Sequence, residues 1–123
     1  MAERPPSTDP SIWFRLLLPT GALGPGKIAL MRAVAATGSV SAAARSLGMS
    51  HARSVKLVAE INALASTPLI DTRAGGPSGG GASLSPLGHA VVGTYAEIEG
   101  KVAETTSSAL AQLSAMLVAP PKG

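Results

Sequence analysis

Residues 39–64 constrain this chain more than any other stretch. Two short apolar segments lie there, separated by Leu47-Gly48-Met49, and each is preceded by serine. Ser39 or Ser41 suits the N-cap of the first and Ser50 that of the second, because a short hydroxyl side chain satisfies an orphan N–H at a helix start. Two helices joined by so tight a turn cross at a steep angle only where the contact residues are small. Ala43, Ala44 and Gly48 supply that, with Ala44 and Gly48 four positions apart. In the second segment Ser54, Leu57, Val58, Ile61, Leu64 and Ala65 share one side. His51, Ala52, Arg53, Val55, Lys56 and Glu60 fall on or near the other, and Thr67-Pro68 is expected to close the helix. The pattern is a helix-turn-helix whose second helix, residues 50–64, projects from the body.

The flanks extend it. Residues 12–18 are apolar around one arginine and read as a short strand, which needs a partner because a lone strand is unstable. Pro19, Gly21, Gly24 and Pro25 then punctuate. A helix is expected from Pro25, with Ile28, Met31, Val34 and Ala35 on its buried face and Gly38 as its stop. After residue 68, residues 69–73 and 82–85 read as two strands around a glycine-rich loop at 75–81, a β-hairpin wing. The strand at 12–18 is expected to join that hairpin. Ser85-Pro86 opens a last helix, where Leu87, Val91, Tyr95, Ile98 and Val102 form a stripe that Ala109, Leu113 and Met116 continue. Unbroken to Leu117, it is about 48 Å long, too long to pack wholly on so small a body. The expected organisation is an N-terminal disordered arm (1–11), a winged helix-turn-helix domain (12–85), a long dimerisation helix (86–117) and a tail (118–123). The fold class is mainly α with a small β-sheet (α+β).

Composition narrows the function. At 123 residues there is room for one modest core. With Trp13, Phe14 and Tyr95 as the only aromatics, Ala, Leu, Val and Ile must build it. The formal net charge is +3. Between residues 27 and 73 Lys27, Arg32, Arg45, Arg53, Lys56 and Arg73 stand against Glu60 and Asp71. From residue 86 Lys101 and Lys122 stand against Glu97, Glu99 and Glu104. A basic middle joined to a slightly acidic tail suits a nucleic-acid face attached to a structural segment. The absence of cysteine removes disulfides, thiolate metal sites and cysteine nucleophiles. His51 and His89 have no acidic cluster with them, so no metal site is expected, and no cofactor. No Ser/His/Asp or paired-carboxylate arrangement stands out, so no enzyme is expected. The loop at 75–81 lacks the Gly-Lys-Ser/Thr ending of a phosphate-binding loop. No apolar run reaches membrane-spanning length and no signal peptide is visible, so the location expected is cytoplasmic.

The residues expected to meet double-stranded DNA follow from this frame. Arg53 and Lys56 reach guanine edges or phosphates, Ser50 and His51 exchange hydrogen bonds, and Ala52 lies beside them on the exposed side. Val55 touches a thymine methyl. Ser39 and Ser41 offer uncharged phosphate contacts, while Arg73 and the glycine loop with Ser78 form the wing. Each has a plainer reading: Arg53 and Lys56 as a solvated helix face, His51 as an exposed turn residue. The surrounding motif favours DNA for the two cations. For the last helix, Val91, Tyr95, Ile98, Val102 and Leu113 are the expected dimer contacts, against packing on the chain's own domain.

Three runs carry a family likeness: Gly38-Ser39-Val40-Ser41-Ala42-Ala43-Ala44, Leu47-Gly48-Met49-Ser50, and Ala59-Glu60-Ile61-Asn62. A fourth, Arg73-Ala74-Gly75-Gly76-Pro77-Ser78-Gly79-Gly80-Gly81-Ala82 followed by Leu84-Ser85-Pro86-Leu87-Gly88, is the most specific. Over residues 12–102 the chain resembles the N-terminal domain of ModE-type molybdate-responsive regulators, itself similar to the LysR-type winged helix. The resemblance implies a homodimer, formed largely through the last helix, that binds a palindromic operator and regulates transcription. It also implies a link to molybdenum or another oxyanion. With the sequence closing at Gly123, the expectation is a DNA-binding half without the molybdate-binding domain. The alternative reading is a protein-interaction module that heterodimerises with a full-length homologue.

Overall fold

Pro25 and Gly38 bracket the first helix as the sequence implies, and the rest of the fold is arranged around it. A computed structural model describes residues 9–73 and 81–118. The order is β1 (Leu16–Leu18), β2 (Gly21–Leu23), α1 (Pro25–Thr37), α2 (Val40–Ser46), α3 (His51–Asn62), β3 (Ile70–Arg73), β4 (Gly81–Leu84) and α4 (Pro86–Leu117). This is a mainly helical fold with two small antiparallel sheets, the winged helix-turn-helix expected. Residues 74–80, which hold Ser78 and the glycine loop up to Gly80, lie outside the described residues, as do the arm up to residue 8 and the tail from 119, while Gly81, expected in the loop, opens β4. Among the described residues, no helix is long and apolar enough to cross a membrane.

α1 ends where Gly38 adopts a left-handed conformation (φ 75°) and its N–H closes on the Val34 carbonyl at 2.8 Å. Only glycine takes that conformation without steric cost. α1 touches α2, α3, α4 and β4, so its apolar face is wider than one stripe. Leu30 is therefore fully buried along with Ile28, Met31 and Val34, whereas Ala35, expected inside, is exposed. Ile61 from α3 and Leu69 and Ile70 from the start of the wing complete the best-buried part of the core.

The strand expected at 12–18 is corrected in both extent and partner. Only Leu16–Leu18 is a strand, and it pairs with β2, not with the wing. Leu18 faces Gly21 across a Pro19-Thr20 turn. A two-residue connection brings the two strands together at a lower chain-entropy cost than pairing with a strand some fifty residues away, which favours the hairpin seen. Gly21 has φ 144°, and a Cβ there would stand 2.9 Å from the Leu64 side chain, so the hairpin lies close against the end of α3.

α3 stops at Asn62, short of the expected Thr67-Pro68. The Asn62 side chain explains the early stop. Its Oδ1 accepts from the backbone N–H groups of Leu69 and Ile70, both at 2.9 Å, and its amide donates to the Ile70 carbonyl at 3.1 Å. One side chain thus satisfies the polar backbone where the chain leaves the helix and enters the wing. β3 and β4 pair from Ile70↔Leu84 to Arg73↔Gly81. The Ala82 N–H donates to the Gly38 carbonyl at 2.9 Å, fixing the wing to the end of α1.

α4 begins with Ser85, whose Oγ accepts from the Gly88 N–H at 3.0 Å and donates to the Pro68 carbonyl at 2.8 Å. It then runs unbroken for 32 residues. Gly88 is where it meets the loop before the wing. A Cβ at that position would be 2.2 Å from the Leu69 carbonyl oxygen.

Candidate nucleic-acid interface

The helix-turn-helix is locked by backbone and serine contacts that follow directly from its sequence. Ser39 Oγ accepts from the Ala42 N–H at 3.1 Å and starts α2. Ala43 and Ala44 are buried, so α2 can lie closely against its neighbours. Gly48 turns the chain with φ 64°, its N–H donating to Arg45, while the Met49 N–H donates to the Ala44 carbonyl. Ser50 Oγ then accepts from the Arg53 N–H at 3.1 Å and starts α3. Between the two serines expected at the first cap, Ser39 takes the role and Ser41 stays exposed.

The outer surface of α3 is divided. At about 100° per residue, Ser54, Leu57 and Ile61 point inward and are buried. Ala52, Val55 and Ala59 lie opposite them and are exposed, with Lys56 beside them and His51 exposed at the N-terminus. Arg53 and Glu60 occupy one shoulder and are half-buried. The face that would enter a groove is therefore small and apolar at its centre, with both of its cations on one side. Val55 is 52% exposed, open to contact from outside the chain.

That shoulder borders a cleft of about 460 Å³. Arg53, Lys56, Leu57 and Glu60 form one wall; Trp13, Phe14 and Arg15 form another; residues 24–27 at the start of α1 close it. Lys27 donates to the Ala22 carbonyl at 2.7 Å and lies 3.6 Å from the Glu60 carboxylate. Arg15 reaches the cleft by laying its side chain over Gly24, where a Cβ would be 2.7 Å from its Cγ. Sequence reasoning missed Arg15 and Trp13 as neighbours of α3. The one charged residue inside the apolar run 12–18 was the signal available for Arg15.

The wing contributes Arg73, exposed at the end of β3 with its guanidinium beside Gly81. The structure thus brings Ser50, His51, Ala52, Arg53, Val55 and Lys56 together on α3, with Ser39 and Ser41 at the start of α2 and Arg73 on the wing. Among the described residues no group of His, Asp or Glu could hold a metal ion.

The residues expected on a dimer surface divide as well. Tyr95 is corrected: it is buried in its own domain, stacked on Phe14 at 5.4 Å between ring centres, with its hydroxyl donating to the Phe14 carbonyl at 3.0 Å. Burial, with Glu99 nearby, raises its pKa above the ordinary tyrosine value, and Arg32 opposes the shift. Val91 packs on the same core. Ile98 and Val102 are half-buried, and Leu113 is exposed. Arg32 and Glu99 join at 2.8 Å, tying α1 to α4.

Comparison with known proteins bears on this geometry. Residues 26–89, which span α1 to the first turn of α4, match the family described as bacterial regulatory helix-turn-helix protein, lysR family. The chain is 41% identical over 90 residues to the molybdenum-pterin-binding protein MopB of Rhodobacter capsulatus, covering 72% of this chain and 33% of that protein. It is 31% identical over 98 residues to the transcriptional regulator ModE of Yersinia pestis, covering 77% of this chain and 37% of that one. To the DNA-binding transcriptional dual regulator ModE of Escherichia coli K12 it is 31% identical over 86 residues, covering 68% and 33%. The matched stretch is about a third of each relative's length.

Proposed function

The chain belongs to the lysR family of bacterial regulatory helix-turn-helix proteins, with ModE-like relatives, and from that premise we propose that it binds double-stranded DNA as a homodimer and regulates transcription. The observation that carries this reading is α3: capped by Ser50, seated by Ser54, Leu57 and Ile61, and presenting Ala52, Val55, Lys56 and Ala59 outward. A helix held rigidly on one side and open on the other suits entry into a major groove. Its sparse polar content limits what one copy can read. Two copies joined through α4 would engage two half-sites, the second at high effective concentration. Ile98, Val102 and Leu113 are the dimer contacts proposed. The name of the MopB relative, a molybdenum-pterin-binding protein, extends the proposal to a link with molybdenum, and the family resemblance extends it to oxyanions more widely.

Selection of bound duplexes from a random library tests this, with the oligomeric state measured in parallel. A two-fold symmetric consensus is expected. On the selected site, Arg53→Ala and Lys56→Ala should each weaken binding by about 1–3 kcal/mol where the side chain reads a base. Affinity should fall steeply with salt through the phosphate contacts. No retention of any duplex at low salt would defeat the reading. It would favour the second one, a module that heterodimerises with a full-length homologue, which the exposed Leu113, Met116 and Leu117 of α4 support.

A further inference from the structure

We infer that the cleft beside α3 binds a small organic anion with a flat apolar body, and that its occupancy opposes DNA binding. The volume, about 460 Å³, lies in the range of small-molecule sites, which combine apolar walls with a few placed polar groups. Trp13, Phe14, Pro25 and Leu57 supply the apolar surface. Four cationic residues line it, Arg15, Lys27, Arg53 and Lys56, against one acidic residue, Glu60. Among the described residues Arg15, Arg53 and Lys56 make no ion pair, so three positively charged residues line the hollow beside one carboxylate, Glu60, that Lys27 already holds. An uncharged ligand would leave those charges unanswered. A bare inorganic anion would leave the aromatic wall uncovered, and Trp13 is 41% exposed.

The consequence for DNA follows from shared residues. Arg53 and Lys56 are the two basic side chains of α3 and also line the cleft. A cation paired with a ligand in the cleft is withdrawn from a phosphate or a guanine edge. Ligand and DNA therefore compete for the same charges, and by linkage each weakens the other equally. This part rests on the DNA reading above; the existence of the site does not.

Trp13 gives a direct readout, since it is the only tryptophan in the chain and lines the cleft. It also lines a smaller neighbouring hollow with Arg32 and Glu99, which Arg15 does not reach, so Arg15 variants assign the signal. The full chain is titrated with benzyl phosphate, inorganic phosphate and benzyl alcohol while Trp13 emission is followed. Benzyl phosphate should give a saturable change, about tenfold tighter than either half-molecule. Arg15→Ala should weaken it about fivefold with the circular dichroism unchanged, and Arg15→Lys should recover part of the loss. In parallel, the affinity of the wild-type chain for its selected duplex should fall as benzyl phosphate saturates. Absence of a saturable response, or an undiminished one in Arg15→Ala, overturns the site. Equal binding of inorganic phosphate overturns the apolar part of the ligand assignment. A Trp13 response with unaltered duplex affinity overturns the competition. A chain that binds benzyl phosphate through Arg15 but no duplex strikes the DNA reading and leaves the cleft standing.

Discussion

Residues 86–102 and residues 103–117 of α4 belong to one continuous helix, and each carries apolar side chains at helical spacing, yet they live in different surroundings. The first half is covered by its own chain along one side only, with Ile98 and Val102 left half-buried. Gly88 sits against the Leu69 carbonyl, Tyr95 is stacked on Phe14, and Glu99 holds Arg32. The second half meets nothing comparable among the described residues, and Leu113, Met116 and Leu117 are at least half exposed. The difference teaches that spacing identifies a stripe but not what covers it. Coverage depends on whether another segment reaches the same height on the helix, and among the described residues Phe14 meets Tyr95 and Arg32 of α1 meets Glu99.

Four changes would break or sharpen that contrast. Tyr95→Ala strikes the covered half hardest, removing a buried aromatic and leaving the Phe14 carbonyl without its donor; a loss of about 3–5 kcal/mol in folding stability is expected from urea titration. Gly88→Ala is next. Its Cβ meets backbone, which cannot swing aside as a side chain would, so about 2–3 kcal/mol should be lost, with a lower thermal midpoint. Tyr95→Phe is milder, about 1 kcal/mol for the hydrogen bond near neutral pH. It also carries a pH signature. The raised pKa means the fold prefers the neutral phenol. Its stabilisation is whole below the unfolded value of 10.0 and is lost as pH rises above that, through the folded pKa. Unfolding at about pH 8 and about pH 11 should show a larger loss in wild type than in Tyr95→Phe. Leu113→Lys closes the series: within about 0.5 kcal/mol on the folding of one chain. By sedimentation, however, it should shift any dimer toward monomer. An unaltered dimer would remove Leu113 from the proposed interface.

Much of the frame is legible in the sequence itself. The caps at Ser39, Ser50 and Ser85 and the stop at Gly38 are short-range chemistry, fixed by neighbours in sequence. The helix-turn-helix itself was legible for the same reason, and so was the buried side of α3. What misled lay beyond that range. Gly21 read as punctuation, yet it pairs with Leu18 because the turn between them is so short. Asn62 read as one residue of a family motif, and its side-chain bonds to residues 69 and 70 set the end of α3. Arg15 lies far from α3 in sequence, and only the close approach of its segment over Gly24 places it beside Arg53 and Lys56. Local propensity carries no information about such meetings.

Asn62 also has a geometric consequence. One amide joins the end of α3 to the first residues of the wing, while the Gly38–Ala82 bond holds the wing to α1 from the other side. The span between α3 and the wing is thereby calibrated like a pair of fixed calliper jaws. If the chain binds DNA as proposed, α3 and the wing could grip two stretches of one surface together only where these lie that far apart. Lengthening the chain between residues 63 and 68 would not simply add slack, because the added residues would have to bulge around an unbroken amide. In the proposed reading, the target would be measured by a distance as well as by the side chains that meet it.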